Sequence, residues 1–437
     1  MTNSIRPLNR SSFFFVTGLL IAGSIAIGFD KGWGFDLGAV TQRIDLDQAT
    51  DVQLQSPTTL TSADILAAQT AWQYFENNTD PHTGFVGSVQ GYASATLWDQ
   101  GSYVMALVAA NRLGVLNREN FNRRAVQFLD SLSRLPLYDG RLPNKAYDTR
   151  SLVMTDYQNV AVPQGIGWSA MDLGRVLLAL RILERSSPQH GELVRAAVQN
   201  WDICAITNAG EMMGAQRING ETVFYQEGRI GYEQYAARSA ALWGCDSLTA
   251  AGAERIVAWQ MVSGTQVPID RRTHTSFGSI TPTLGEPYML TALELGFNRE
   301  TEILAARVYA ANEARYRQEG IFTAVTEDHI DRAPYFVYAS VFGNDQPWAV
   351  TDDQGNLFPD LRTISLKAVM AWDALYATPY TAELRVLMSD LADSDLGWLA
   401  GKYEKGFAPN TVLSLNTNAV VLEAIHYKAF GPLLLSN

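Results

Sequence analysis

The chain has 437 residues, close to half of them hydrophobic, and a formal charge of −12. That composition supplies a large core and excludes an unfolded chain. The acidic balance, with no basic stripe, excludes a nucleic-acid binder, and no run of like charges reads as an interaction tail.

At the N-terminus, Arg6 and Arg10 precede an uncharged apolar run from Phe13 to Phe29. A basic flank followed by such a run is the layout of a secretory signal or short membrane anchor. No small-x-small cleavage site follows, which favours an uncleaved anchor over residues 12–29, with the body exported to the periplasm or the cell exterior. Residues 1–30 are therefore set apart as signal or anchor, and residues 31–61, with Gly32, Gly34, Gly38 and Pro57, read as a tether.

From residue 62 onward helix-period segments dominate and alternate in character. Charged, amphipathic segments cover Ala63–Asn77, the stretch capped by Asn117, Ser187–Val198, Ala250–Val262, the stretch after Asn298, and Thr381–Asp393. Between them lie segments of small residues that are apolar on more than one face: Leu97–Leu113, Ser169–Glu184, Tyr232–Cys245, Glu286–Leu295, Ile364–Tyr376 and Asn416–Lys428. A helix apolar around most of its circumference is buried on both sides. Strict alternation of six such helices with six charged ones predicts an all-α fold over residues 62–437, an (α/α)6 toroid of six inner and six outer helices.

Links from buried to charged segments are short, whereas links from charged to buried segments are long. In a closed antiparallel ring all the long links then gather at one end, where they build a site. The same geometry puts Cys204 at the top of an outer helix and Cys245 at the bottom of an inner one. The separation is about 20 Å at 1.5 Å per residue, far beyond the roughly 7 Å that a disulfide allows. Two free thiols are expected.

The first turns of the inner helices carry the candidate chemistry. They offer Trp98 and Asp99, Trp168 and Asp172, Tyr232 and Glu233, Glu286 and Tyr288, and Asn416 and Asn418 preceded by Tyr403 and Glu404; the fifth carries Arg362, Thr363 and Lys367 instead. Any one of these acids is explained by a helix cap. A ring of buried acids needs a further reason. Flat rings for apolar sugar faces, beside acids and amides for hydroxyls, suit an oligo- or polysaccharide. Glycoside hydrolysis needs one protonated and one ionised carboxyl. Glu286 or Glu233 is the expected acid and Asp99 the expected base, spaced widely enough for inversion. Trp98, Tyr147, Asp148, Trp168, Asp172, Glu227, Tyr232, Tyr288, Tyr403, Glu404, Asn416 and Asn418 are the expected substrate contacts, with Asp148, Asp156, Glu227 and Glu404 as competing loop acids. The five scattered histidines predict no metal site, and the absence of a phosphate loop or nucleophile elbow predicts no cofactor.

Four stretches carry a family resemblance: Thr96-Leu-Trp-Asp-Gln-Gly-Ser-Tyr103, Leu142-Pro-Asn-Lys-Ala-Tyr-Asp148, Ser169-Ala-Met-Asp-Leu-Gly-Arg175, and Gly397-Trp-Leu-Ala-Gly-Lys-Tyr-Glu404 with Leu415-Asn-Thr-Asn-Ala-Val-Val-Leu-Glu423. Together they resemble the bacterial family catalogued as domain of unknown function 3131, over roughly residues 64–430. That family is similar in turn to the glucoamylase-like (α/α)6 group, which includes β-1,2-glucan-degrading enzymes. The resemblance implies a toroid that works on an envelope glycan, either as a glycoside hydrolase or as a glycan-binding protein in polysaccharide synthesis or export. It supplies no catalytic residues.

Overall fold

The computed structural model describes residues 43–50, 52–273 and 277–434. The expected anchor over residues 1–30 and the first part of the tether lie outside the described residues. Among the described residues no helix is long and apolar enough to cross a membrane.

In chain order the helices are α1 (Ser62–Asn78), α2 (Leu97–Arg112), α3 (Arg118–Ser133), α4 (Ala170–Ser186), α5 (Gly191–Ala197), α6 (Tyr232–Ala241), α7 (Leu248–Ala251), α8 (Glu286–Leu290), α9 (Arg299–Glu319), α10 (Leu366–Tyr376), α11 (Pro379–Leu387) and α12 (Leu415–Phe430). The even-numbered helices from α2 to α6 and from α8 to α12 form the inner ring. In it α2 packs on α4 and α12, α4 on α6, α10 on α12, and α8 touches both α6 and α10. Burial explains this order. From Leu97 to Ala110 every residue of α2 except Trp98 is buried, while α3 buries only a stripe that includes Phe121, Ala125, Phe128 and Leu132. Small residues let the inner helices approach closely: a Cβ at Gly174 of α4 would stand 2.8 Å from the Ala236 Cβ of α6. Inner helix α8 continues as a π turn over Thr291–Leu295.

Two sequence expectations are corrected. The fourth outer helix does not span Ala250–Val262. After the short α7, Val257–Val262 pairs antiparallel with Thr265–Asp270. Ser263 and Gly264 both take positive φ, 44° and 72°, the geometry of a two-residue hairpin turn. This hairpin packs against α9 in place of an outer helix. The ring is accordingly helical, but the chain is not all-α, because its long links fold into short antiparallel sheets.

The second correction concerns the cysteines: Cys204 and Cys245 form a disulfide, with Cα atoms 5.1 Å apart. Helix α5 has only seven residues, or roughly 10 Å, so Cys204, just beyond it, stays well short of the long-link end. The chain runs instead through the turn Ile203–Ile206 beside the base of α6, where the Ala250 N–H donates to the Gly210 carbonyl at 2.9 Å.

The described part of the tether runs against the ring. Gln55 N–H donates to the Leu375 carbonyl at 2.8 Å and Thr58 N–H to the Lys428 carbonyl at 2.7 Å, both at the short-link end.

Candidate active site

Two carboxyls occupy equivalent places on neighbouring inner helices. Thr96 caps α2 and Asp99 stands three residues on. The Asp99 Oδ2 accepts from the Thr96 N–H and hydroxyl, both at 3.0 Å, and the Asp99 N–H donates back to Thr96 Oγ1 at 3.2 Å. This is a capping box, and it engages one carboxylate oxygen only. Burial pushes the Asp99 pKa up; the Thr96 donors and the charges of Arg175 and Lys367 oppose the shift.

On α4, Ser169 caps and Asp172 takes the matching position, its N–H donating to Ser169 Oγ at 3.2 Å. The single Ser169 hydroxyl proton faces two acceptors, Glu227 Oε1 at 2.8 Å and Asp172 Oδ1 at 3.2 Å. Glu227 takes the better bond and also receives the Ala170 N–H at 2.6 Å. Asp172 is left partly exposed and without a firm donor. Burial, then the negative charges of Glu227 and Asp99, push its carboxyl up to about 8.

Next to these carboxyls lies a buried polar network that draws on all the inner helices. Glu286, fully buried in the first turn of α8, accepts from Asn416 Nδ2 of α12 at 2.7 Å and pairs through its other oxygen with Lys367 of α10. Lys367 also stands 3.8 Å from Asp328, whose carboxyl burial pushes up to about 7. Ser102 of α2 lies 3.1 Å from the Asn416 Oδ1 and accepts from Arg175 Nε of α4 at 3.0 Å.

Arg175 in turn meets Glu294 at 2.9 Å and Glu423 at 3.5 Å, and its guanidinium sits 4.6 Å from the centre of the Trp98 ring. Tyr235 of α6 donates to Glu294. Burial and the adjacent Glu294 drive the Glu423 pKa well up, as one arginine serves two carboxyls. Tyr232 donates to Glu327 Oε1 at 2.5 Å, Arg229 donates to its Oε2 at 3.3 Å, and burial followed by the charge of Glu286 raises the Glu327 pKa. Trp98 and Tyr232 meet edge to face with centroids 5.4 Å apart.

The structure thus brings together Trp98, Asp99, Asp172, Glu227, Tyr232, Glu286 and Asn416. Glu233 lies behind this group, its oxygens taken by Gln226 Nε2 at 3.0 Å and Arg272 at 2.7 Å; burial still pushes it up to about 7 against Arg272.

The remaining expected contacts hold loops in place. The Tyr147 hydroxyl donates to the Pro136 carbonyl and accepts the Asn144 N–H, both at 2.7 Å. Asp148 closes a turn through Arg150 N–H and Ser151 N–H. Trp168 donates to the Met213 carbonyl within the core, and Tyr288 is buried. Asn418 fastens the backbone of Trp398 and Ser414. Tyr403 donates to Asp331 at 2.6 Å. Glu404, clamped by Arg315 and Arg362, borders a separate groove of about 380 Å³ beside Phe322 and Phe407.

Glu327, Arg229, Arg175, Glu294 and Glu423 were not anticipated. For Arg175, Glu294 and Glu423 a signal existed: each is a lone charge inside an otherwise apolar helical stretch, and a buried charge demands a partner.

The ring and its polar residues define a class, an (α/α)6 toroid with carboxyls and aromatic rings gathered at the starts of its inner helices. Residues 66–431 match the family described as "Protein of unknown function (DUF3131)", and the chain belongs to that family. No curated protein sequence matches it. Among solved structures it is similar to an endo-β-1,2-glucanase from Chitinophaga pinensis, with a TM-score of 0.60 and 13% identity over 86% of this chain and 94% of that one. It is also similar to an endo-β-1,2-glucanase from Talaromyces funiculosus, with a TM-score of 0.52 and 12% identity over 83% of this chain and 84% of the other. At such identities the likeness is one of fold.

Proposed function

We propose that the chain is an exported glycoside hydrolase acting on a bacterial envelope or extracellular glucan, with Asp172 as general acid and Asp99 as general base. The observation that carries this reading is the pair of matching first-turn carboxyls on α2 and α4, both raised by burial beneath the long links. Packed helix axes stand roughly 8–10 Å apart, a span compatible with the roughly 6.5–9.5 Å between carboxyls that leaves room for an inverting water. Asp172, raised to about 8, keeps its proton at neutral pH and delivers it to the leaving glycosidic oxygen. Asp99 turns Oδ2 to Thr96 and leaves Oδ1 to take a proton from the attacking water.

Glu286 and Glu233, the acids expected from sequence, each have both oxygens engaged and one cation on them, which suits positioning better than proton donation. Trp98 and Tyr232 supply apolar faces for a sugar. The two neighbours named above make β-1,2-glucan the first substrate to try. The Cys204–Cys245 bridge supports export, since disulfides persist in oxidising compartments, and the N-terminal pattern supports an inner-membrane anchor.

One observation favours a glycan-binding protein without turnover: Asp99 is already occupied as a helix cap. Release of reducing ends from β-1,2-, β-1,3- and α-1,4-glucan separates the two readings. Turnover of at least one glucan by the wild type, and none by Asp172→Asn, is expected. Tight binding with no turnover would leave the binding reading, and neither binding nor turnover would remove both.

A further inference from the structure

Phe407 stands in the turn between the strands Gly397–Tyr403 and Pro409–Leu413, with φ at 57° and 43% of its surface exposed. A bulky residue in the left-handed region is strained, and glycine or asparagine ordinarily takes such a place. The Tyr403 N–H closes the turn on the Ala408 carbonyl at 2.8 Å. The Phe407 ring meets Phe322 edge-on, with centroids 6.3 Å apart, and Phe322 is itself backed by the Tyr316 ring at 4.6 Å. A strained, half-exposed ring that neither the turn nor the core requires points to a function.

Both phenylalanines line the groove of about 380 Å³, a volume within the roughly 300–1,000 Å³ of ligand pockets. Its charges cancel, Arg362 and Lys405 against Asp360 and Glu404, so neither an anion nor a cation is favoured. Glu404 is held by Arg315 at 3.1 Å and Arg362 at 2.9 Å. The Lys405–Asp360 pair, 3.4 Å apart with both side chains 82% exposed, is the kind of surface pair that contributes little and exchanges readily for a ligand. Apolar rings beside balanced donors and acceptors suit a neutral polyhydroxyl ligand with an apolar face, which describes a sugar.

The groove also adjoins the inner ring. Thr363 pairs with Tyr403, and the Glu404 N–H donates to the Arg362 carbonyl at 2.8 Å, so Arg362 and Glu404 prolong that strand pair. Three residues beyond Arg362, about 10 Å along a strand, Ser365 opens α10, whose Lys367 pairs with Glu286. A sugar chain engaged at the inner-helix starts therefore passes within reach of Phe407.

We propose that this groove is a second glucan-binding site, separate from the Asp99–Asp172 pair, in which a neutral sugar stacks on Phe407 while Lys405 and Asp360 turn to its hydroxyls. It holds a long chain outside the reacting sugars and is not needed by a short one. The proposal rests on the glycan reading above.

Retardation in gels containing β-1,2-, β-1,3- or α-1,4-glucan reads polymer binding, and reducing-end release from the matching trisaccharide reads the carboxyl pair. Wild type, Phe407→Gly, Phe407→Tyr and Lys405→Ala are compared, with thermal melts alongside. On the glucan that the wild type binds, Phe407→Gly is expected to raise the polymer Kd about tenfold. Lys405→Ala should raise it about threefold, and Phe407→Tyr should stay within about twofold because the ring is kept. Trisaccharide turnover should match the wild type in all three. Phe407→Gly should melt no lower than the wild type, since glycine relieves the left-handed backbone. If Phe407→Gly binds polymer as the wild type does, the second site falls and the glycan reading stands. If it loses trisaccharide turnover as well, the ring belongs to the carboxyl site and the proposal is overturned. A clearly lower melting temperature would make Phe407 a packing residue and overturn it too. If the wild type neither binds nor cleaves any glucan, the glycan reading falls and the second site falls with it.

Discussion

Replacing Asp99 by asparagine separates its two roles, because the amide can perform one and not the other. Asparagine keeps a side-chain oxygen where Asp99 Oδ2 accepts from the Thr96 N–H and hydroxyl at 3.0 Å. The cap therefore survives at a cost below about 1 kcal/mol, against the roughly 0.5–2 kcal/mol lost when a capping side chain is removed altogether. A neutral amide takes no proton from water. Loss of a positioned general base costs about 10²–10⁴ in rate, or roughly 2.7–5.4 kcal/mol of transition-state stabilisation. The catalytic effect should exceed the structural one severalfold in energy.

Reducing-end release on the responsive glucan and thermal melts of wild type, Asp99→Asn and Asp99→Ala measure both. Asp99→Asn is expected to melt close to the wild type with at least about a hundredfold less turnover. Asp99→Ala should be equally inactive and visibly less stable. Turnover by Asp99→Asn within threefold of the wild type would refute the catalytic role and leave Asp99 as a cap alone.

Two further outcomes follow from the structure. Cys204 and Cys245 stand 41 residues apart in sequence, for which chain entropy assigns the bridge about 4 kcal/mol; the Cys204→Ser, Cys245→Ser pair should unfold at lower urea than the oxidised wild type, and dithiothreitol should bring the wild type down to match. Equal midpoints with and without the bridge would contradict this. For Asp172, raised to about 8 by burial, Glu227 and Asp99, the native state holds the proton more tightly than the unfolded chain does. Its contribution to stability is complete below the ordinary carboxylate range and is lost as the pH rises through about 8. The same ionisation removes the general acid, so kcat should fall on the alkaline side near pH 8, and a flat profile from pH 7 to 9 would argue against Asp172 in that role.

The inner ring was legible in the sequence because its cause is local. A segment such as Leu97–Ala110, apolar on every face and rich in small residues, has no stable place except between two layers. The caps were legible for the same reason: the spacings Thr96 to Asp99 and Ser169 to Asp172 are short-range signals. The unequal links pointed to the end of the ring where Asp99 and Asp172 stand. Val257–Val262 misled because its apolar residues fit either period over so short a run, and the Ser263-Gly264 turn that decides between them was passed over.

What the sequence determined by itself, then, is the alternation of inner and outer segments and the presence of acids at inner-helix starts. Which acids meet was decided only by closure of the ring. Tyr232 bonds Glu327 across 95 residues and Arg175 reaches Glu423 across 248. The disulfide depended likewise on how far α5 climbs before it stops. Side-chain periodicity is a property of one segment. Electrostatic partnership belongs to residues that no segment shares, and it is these partners that leave Asp172 raised and loosely held while Glu286 and Glu233 are pinned.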